Sequence, residues 1–223
     1  MRPNIAIDGP AGAGKSTVAR LAAKKLGLVY VDTGAMYRAL TWKALETSTP
    51  LDQGQALAEL FRQMKIEFVQ EAPGAEQKIY CDGKDISEAI RHPLVSKGVS
   101  QVAAHYLVRK ELLKAQRYLA SQGGVVMDGR DIGTFVLPEA PFKFFLTASL
   151  ETRSKRRFLE LREKGIKTTL QEVEKEIKKR DYLDQSRDHA PLHAAPDAEI
   201  IDTTELTVEE VAAKIVNRYL GRT

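Results

Sequence analysis

Nine residues near the start of the chain, Gly9, Pro10, Ala11, Gly12, Ala13, Gly14, Lys15, Ser16 and Thr17, have the types and spacing to hold an anion. They fit Gly-x4-Gly-Lys-Ser, in which small residues let several backbone N–H groups turn inward around phosphate. A lysine at this place reaches the β- and γ-phosphates of a nucleoside triphosphate, and the hydroxyl of the following serine is a ligand for Mg2+. The motif carries that chemistry only between a strand and a helix. Asn4-Ile5-Ala6-Ile7-Asp8 is a short apolar run ending at a glycine, while Val18, Leu21, Ala22 and Leu26 recur at helical spacing until Gly27. Both flanks therefore suit a helix whose positive end points at phosphate. A glycine-rich turn that matches by accident is the competing reading, and the flanks count against it.

Arginines close to carboxylates form a second group. Asp32-Thr33-Gly34-Ala35-Met36-Tyr37-Arg38 follows a strand-like run, so Arg38 falls in the first turns of a helix at the edge where a parallel sheet works. In Asp128-Gly129-Arg130-Asp131 one arginine stands between two carboxylates at a strand end. The planar guanidinium suits a second phosphate, as a kinase for a small phosphorylated acceptor needs, but each cluster also reads as a structural ion pair. Val173, Ile177, Arg180, Asp184 and Arg187 follow spacings that put them on one face of a continuous helix over 171–187. The stripe begins apolar and ends charged. Charges aimed at the protein body need an anion or each other. The bland alternative is a solvated helix end with an Arg180–Asp184 pair worth ~0.3–0.5 kcal/mol.

These residues need elements to position them. Five strand candidates, over residues 5–8, 28–32, 125–128, 142–147 and 199–202, alternate with helical patterns. Their near-continuous apolar character predicts an α/β fold: a five-stranded parallel sheet with helices on both faces, the three-layer arrangement of phosphate-loop NTPases. Asp8, Asp32, Asp128 and Asp202 fall at four of the strand ends. Thr207 and Glu210 have capping-box spacing for the last helix, which stops at Gly221. From Ile66 to Ile86 the period becomes two, with turns at Ala72-Pro73-Gly74 and Asp82-Gly83. That predicts a small antiparallel insert over 63–96 within a core of 1–62 and 97–223.

Composition narrows the function classes. At 223 residues, 43% hydrophobic and 29% charged, the chain suits one globular α/β domain with room for small inserts. No apolar run approaches the ~18 residues a membrane span needs, and the first strand follows the N-terminus too closely for a secretory signal, so a cytoplasmic protein is expected. The lone Cys81 allows no intramolecular disulfide and reads as a small buried hydrophobe. Net charge is +4, yet residues 151–180 hold 11 Lys and Arg against 6 Glu, a local +5, leaving −1 elsewhere. One basic segment fits a nucleotide better than a nucleic-acid track. A regulatory GTPase would need an Asn-Lys-x-Asp run, and the two asparagines, Asn4 and Asn217, supply none. His189 and His193, separated by Pro191, read as solvated or capping residues rather than metal ligands, and Trp42 reads as helix packing.

The stretches "IDGPAGAGKSTVA", "VDTGAMYRA", "SQVAAHYLVR", "VVMDGRDIGT", "IKKRDYLDQSRDHAPL" and "IIDTTELTVEEV", in this order, make the chain resemble the bacterial cytidylate kinases over nearly its whole length. The phosphate loop alone is widely shared; "DTGAMYR" with "DGRD" and "RDxxDxxR" is far more specific. His92-Pro93-Leu94 stands where Thr-Pro-Glu is more usual in that family.

The resemblance implies transfer of the γ-phosphoryl of ATP to CMP or dCMP with Mg2+, and no nucleic-acid or membrane partner. Under it, Gly9 to Thr17 hold the ATP phosphates, with Lys15 catalytic and Ser16 on the metal. Thr33, Tyr37 and Arg38 line the acceptor pocket, Arg38 and Arg130 bind the CMP phosphate, and Ser100, Arg109 and Asp131 read the cytosine. Arg180 and Arg187 serve the acceptor phosphate region and Asp184 the sugar hydroxyls. The insert would extend the monophosphate-binding domain, and residues 151–172 would form a helical lid. Arg153 and Arg157, four apart, would close on the γ-phosphoryl, with Arg156 a weaker candidate. Asp128 would orient either Arg130 or a metal-bound water. No general base is required, because the acceptor phosphate, with a second pKa of ~6, is mostly ionised at neutral pH. A monomer is expected. A different small-acceptor kinase and a nucleotide-dependent binding or switch protein remain the alternatives.

Overall fold

The computed structural model describes residues 1–69 and 77–221; the turn expected at Ala72-Pro73-Gly74 lies outside them. In chain order the elements are β1 (Ile5–Asp8), α1 (Lys15–Leu26), β2 (Val29–Asp32), α2 (Thr33–Glu46), α3 (Gly54–Gln63), β3 (Ile66–Val69), β4 (Lys78–Cys81), β5 (Lys84–Asp85), α4 (Pro93–Ala104), α5 (Tyr106–Ala120), β6 (Val125–Asp128), β7 (Phe142–Thr147), α6 (Leu150–Glu163), α7 (Leu170–Ser186), β8 (Glu199–Asp202) and α8 (Val208–Tyr219). The chain divides into two compact units, Met1–Tyr30 with Gly123–Thr223, and Val31–Gln122.

The first unit is built on the expected parallel sheet, in the order β2-β6-β1-β7-β8. Central β1 pairs in parallel with β6 (Ile7 opposite Asp128) and with β7 (Ile7 opposite Phe144), and β7 pairs with β8. Ile5, Ile7, Val126, Phe144 and Leu146 of the sheet pack with Val18, Ala19 and Ala22 of α1 and with Val211, Ala212 and Ile215 of α8. Each large aliphatic chain so buried stabilises by about 1.5–3 kcal/mol.

Two boundaries differ from the sequence reading. Leu28 is not in β2: Gly27 is left-handed (φ 61°) and the Leu28 amide donates to Ala23 C=O at 2.9 Å, so it belongs to the C-terminal cap of α1. The helix expected over 171–187 ends at Ser186, and Arg187 is extended (φ −70°, ψ 143°). The chain turns back through Ala190 (φ 49°), and the Leu192 amide takes the Asp184 carbonyl at 2.8 Å, which removes the acceptor a further turn would use. Capping boxes at Thr169/Glu172 and Thr207/Glu210 open α7 and α8.

The second unit carries the antiparallel sheet β3-β4-β5. Asp82 and Gly83 both have positive φ (52° and 79°), as the tight hairpin between β4 and β5 requires. Trp42, Ala35 and Ala39 of α2 pack on Ile79, Cys81, Ile86 and Ile90. A separate cluster joins Met36 and Leu40 to Leu57, Val102, Val108 and Leu112. Trp42 is thus core, and Cys81 is a buried thiol pushed up to about 11 by burial.

Candidate active site

The phosphate loop is shaped by close approach of backbone to backbone. Gly9 has φ 145°, and a Cβ there would lie 2.0 Å from Leu146 C=O. A Cβ on Gly12 (φ 76°) would meet Arg153 C=O at 2.9 Å. Only glycine satisfies both the torsions and the space. Lys15 is buried and its Nζ donates to Pro10 C=O at 2.7 Å, curling back over the loop. Burial pushes the Lys15 ammonium well below its ordinary value, and Arg130 and Arg180 push it further, against the pull of Asp128 and Asp8. A cation so crowded by cations is a place that an anion would relieve.

Ser16 and Asp128 meet. Ser16 Oγ donates to Asp128 Oδ2 at 2.8 Å, and Tyr30 Oη donates to Asp128 Oδ1 at 2.8 Å. The register explains this: Asp128 ends β6 beside β1, and the loop from β1 delivers Ser16 in the first turn of α1. A hydroxyl and a carboxylate at this separation are hard oxygen donors of the kind Mg2+ takes when phosphates supply the rest of its shell.

Beside them the ends of β6 and α7 bring together Arg130, Asp131, Asp184 and Arg187. Arg130 stands between Asp128 and Asp131 in sequence, and its Nε donates to Asp184 Oδ2 at 2.8 Å. Arg187 lies 3.6 Å from Asp131 and 4.0 Å from Asp184, with its Nε donating to Ala190 C=O at 2.6 Å. Burial raises the Asp184 carboxyl, but Arg130, Arg180 and Arg187 outweigh it and hold Asp184 below its ordinary value. The face of α7 behaves as its spacing implies: Val173 and Ile177 are buried with Leu161, while Asp184 is buried among guanidinium groups.

The arginines of α6 have separate surroundings. Arg153 is buried, with Nε donating to Ala148 C=O at 3.0 Å and Nη1 to Ala11 C=O at 3.0 Å and to Asp181. Asp181 also accepts the Ala11 amide at 3.2 Å, so loop, α6 and α7 close into one ring of bonds. Arg156 donates to Thr203 Oγ1 (3.0 Å) and to Thr203 C=O (2.6 Å), and Thr203 Oγ1 donates to Ala13 C=O at 3.3 Å. Arg157 is half-exposed and pairs with Glu160 at 2.8 Å.

In the second unit, Asp32 caps α2 by accepting the Ala35 amide at 2.8 Å and pairs with Arg38 at 2.8 Å. Thr33 is buried at the first position of α2, and Arg109 of α5 is buried with Nη1 donating to Tyr37 Oη at 3.4 Å. Ser100 is half-buried on α4. The His92 ring accepts the Leu94 amide at 3.3 Å, capping α4 at the place where the family resemblance departs.

Tyr30 and Asp181 bond into the site without having been assigned a role from the sequence. Asp181 lies one residue from Arg180 and therefore about 100° around α7 from the selected stripe. Its signal was its place in the quoted RDxxDxxR run.

The sequence matches the family model for cytidylate kinase over residues 5–220. A cytidylate kinase of Bacillus anthracis (strain CDC 684 / NRRL 3495) is 51% identical over 220 residues, covering 99% of this chain and 97% of that protein. One of Desulfitobacterium hafniense (strain Y51) is 51% identical over 215 residues, covering 96% of this chain and 91% of that protein. Among solved structures, an uncharacterized protein from Eubacterium ventriosum ATCC 27560 superposes with a TM-score of 0.55 at 13% identity, covering both chains fully, a likeness of fold alone.

Proposed function

The chain belongs to the cytidylate kinase family, and from that premise we propose that it transfers the γ-phosphoryl of ATP to CMP or dCMP, giving ADP and CDP or dCDP. The observation that carries the reading to individual residues is the gathering of guanidinium groups at the ends of β6 and α7, where Arg130 donates to Asp184 at 2.8 Å and Arg187 lies 3.6 Å from Asp131 and 4.0 Å from Asp184, in a field that also pushes Lys15 down. Donor phosphates alone call for the loop and its lysine; the additional guanidinium groups suit a second phosphate.

In this reading the loop amides, Lys15 and Ser16 bind the ATP phosphates. Ser16 and Asp128 are the residues that would hold Mg2+, and the ion would supply positive charge against the phosphates. The 2.8 Å bond between them supports assigning Asp128 to the metal side rather than to Arg130, which pairs elsewhere. Arg38, Arg130, Arg180 and Arg187 bind the acceptor phosphate, Asp184 the sugar hydroxyls, and Thr33 and Tyr37 line the pocket. Ser100, Arg109 and Asp131 read cytosine: its exocyclic amine donates to a carboxylate, whereas the O4 of uracil would set acceptor against acceptor. An ionised acceptor oxygen then attacks the γ-phosphorus, the bond to the β-γ bridging oxygen breaks, and ADP departs. Alignment and charge neutralisation do the work. Arg153 and Arg157 are assigned to the developing charge, residues 151–172 to a lid, and residues 63–96 to the acceptor-binding side. The buried thiol of Cys81 suits a reducing cytoplasm, and the protein is read as a monomer.

ADP release measured with CMP, dCMP, UMP and AMP in turn tests the reading. Fast turnover with the two cytidylates is expected. Equal rates with all four, or turnover independent of acceptor, would overturn it.

A further inference from the structure

The buried carboxylate of Asp8 has no part in the scheme above. It is the last residue of β1, next to the first glycine of the phosphate loop, and is 3% exposed. Both its oxygens are engaged: Oδ1 accepts the Ile132 amide at 2.8 Å and Oδ2 the Gly133 amide at 2.7 Å. One residue earlier, Ile7 C=O accepts the Gly129 amide at 3.0 Å. Between these anchor points lie only Arg130 and Asp131. The last two residues of β1 thus grip both ends of the short segment that carries two acceptor-binding side chains.

Two backbone amides converging on the two oxygens of one buried carboxyl leave it a single orientation, so they fix geometry as well as add stability. Beyond the grip the chain winds into a single wide turn, Ile132–Val136, in which Asp131 C=O accepts the amides of Phe135 (2.9 Å) and Val136 (3.0 Å). The main chain of Asp131 is therefore held on both sides. Its side chain leaves in the direction of Arg187, 3.6 Å away.

We propose that Asp8 is a positioning residue for acceptor recognition: by holding the Ile132 and Gly133 amides against the end of β1, it sets the direction in which Arg130 and Asp131 meet the phosphate and base of CMP. This rests on the cytidylate kinase reading. Because Asp8 is bonded directly to Gly9, the same contact ties the acceptor segment to the donor loop.

Asp8→Asn keeps the shape but turns an amino group toward one of the two amides, donor against donor. The kcat/KM preference for CMP over UMP should fall about tenfold and the KM for CMP should rise, while the KM for ATP stays within about twofold. A folded variant with an unchanged CMP:UMP ratio would overturn the inference even if its Tm fell. A second measurement uses the unaltered protein, so that a variant which fails to fold leaves the inference exposed. Hydrogen exchange at Ile132 and Gly133 should slow on saturation with CMP but not with AMP; equal or absent slowing counts against Asp8. An unaltered protein that does not phosphorylate CMP would instead overturn the functional reading.

Discussion

Ser16 and Asp128, 112 residues apart in sequence, share a hydrogen bond of 2.8 Å, and Tyr30 closes the other oxygen of the same carboxylate. Phosphate loop and β6 are thereby joined through one carboxyl side chain.

Asp128→Asn should lower kcat by about a hundredfold and raise the Mg2+ concentration needed for half-maximal rate, since the charge is lost while the shape is kept. Initial rates over a Mg2+ series at saturating ATP and CMP measure this. Tyr30→Phe removes the outer hydrogen bond to Asp128 and should stay within about threefold of the parent rate. Equal losses in the two variants would place Asp128 among structural residues.

Asp184 should matter to the acceptor and to acid stability together. Its folded carboxyl is held below the ordinary range, so its contribution is present above the unfolded value near 4 and is lost as pH falls through the folded one. Asp184→Asn should raise the KM for CMP about tenfold with little change for ATP, lower stability at pH 7 by about 3 kcal/mol by leaving Arg130 short of its anion, and flatten the loss of stability below pH 4. Kinetics with CMP and dCMP, and urea melts from pH 3 to 7, check the two halves separately.

Asp8 is pushed up to about 7, first by burial, with Asp131 adding to it and the Gly133 and Ile132 amides and Lys15 opposing. The sign is opposite to that of Asp184. The folded state keeps a proton that the unfolded chain releases near 4, so stability should fall as pH rises from about 4 to about 7, by at most roughly 4 kcal/mol. Chemical denaturation of Asp8→Asn should show a shallower slope over that window than the parent.

Gly9→Ala forces a Cβ to within 2.0 Å of Leu146 C=O at a φ that only glycine adopts with ease. It should cost about 3 kcal/mol or more and abolish ATP binding. Gly83→Ala, also at positive φ but with room among the described residues for the added Cβ, should cost about 1 kcal/mol and leave kinetics unchanged. Thermal melts with isothermal titration of ATP compare the two.

The parts of this protein that could be read from sequence are those encoded locally. β1 and β6 are buried along their whole length and read as apolar runs ending at an aspartate, and four of the five sheet strands begin and end where the sequence pattern places them; Leu28 was lost only to a helix cap. The charged end of the α7 stripe was legible for the same reason, because a period of 3.6 reports a face. What stayed hidden were pairings across long stretches of chain. Nothing near Asp8 names Ile132 and Gly133, nothing near Ala11 names Asp181, and Arg130 has two carboxylates as neighbours in sequence yet bonds to a third. Four aspartates at strand ends share one position and do four jobs. Asp8 holds a turn, Asp32 caps a helix and pairs with Arg38, Asp128 engages Ser16, and Asp202 caps an exposed loop through Thr204.

The crowding of Lys15 by arginines has a practical side for anyone who handles the protein. Small oxyanions are expected to compete with a nucleotide for such a place, and a ligand present at a hundred times its Kd stabilises by about 2.7 kcal/mol. Phosphate or sulfate in a storage buffer would thus lengthen shelf life while competing with ATP, and rate constants from such buffers would describe an inhibited enzyme.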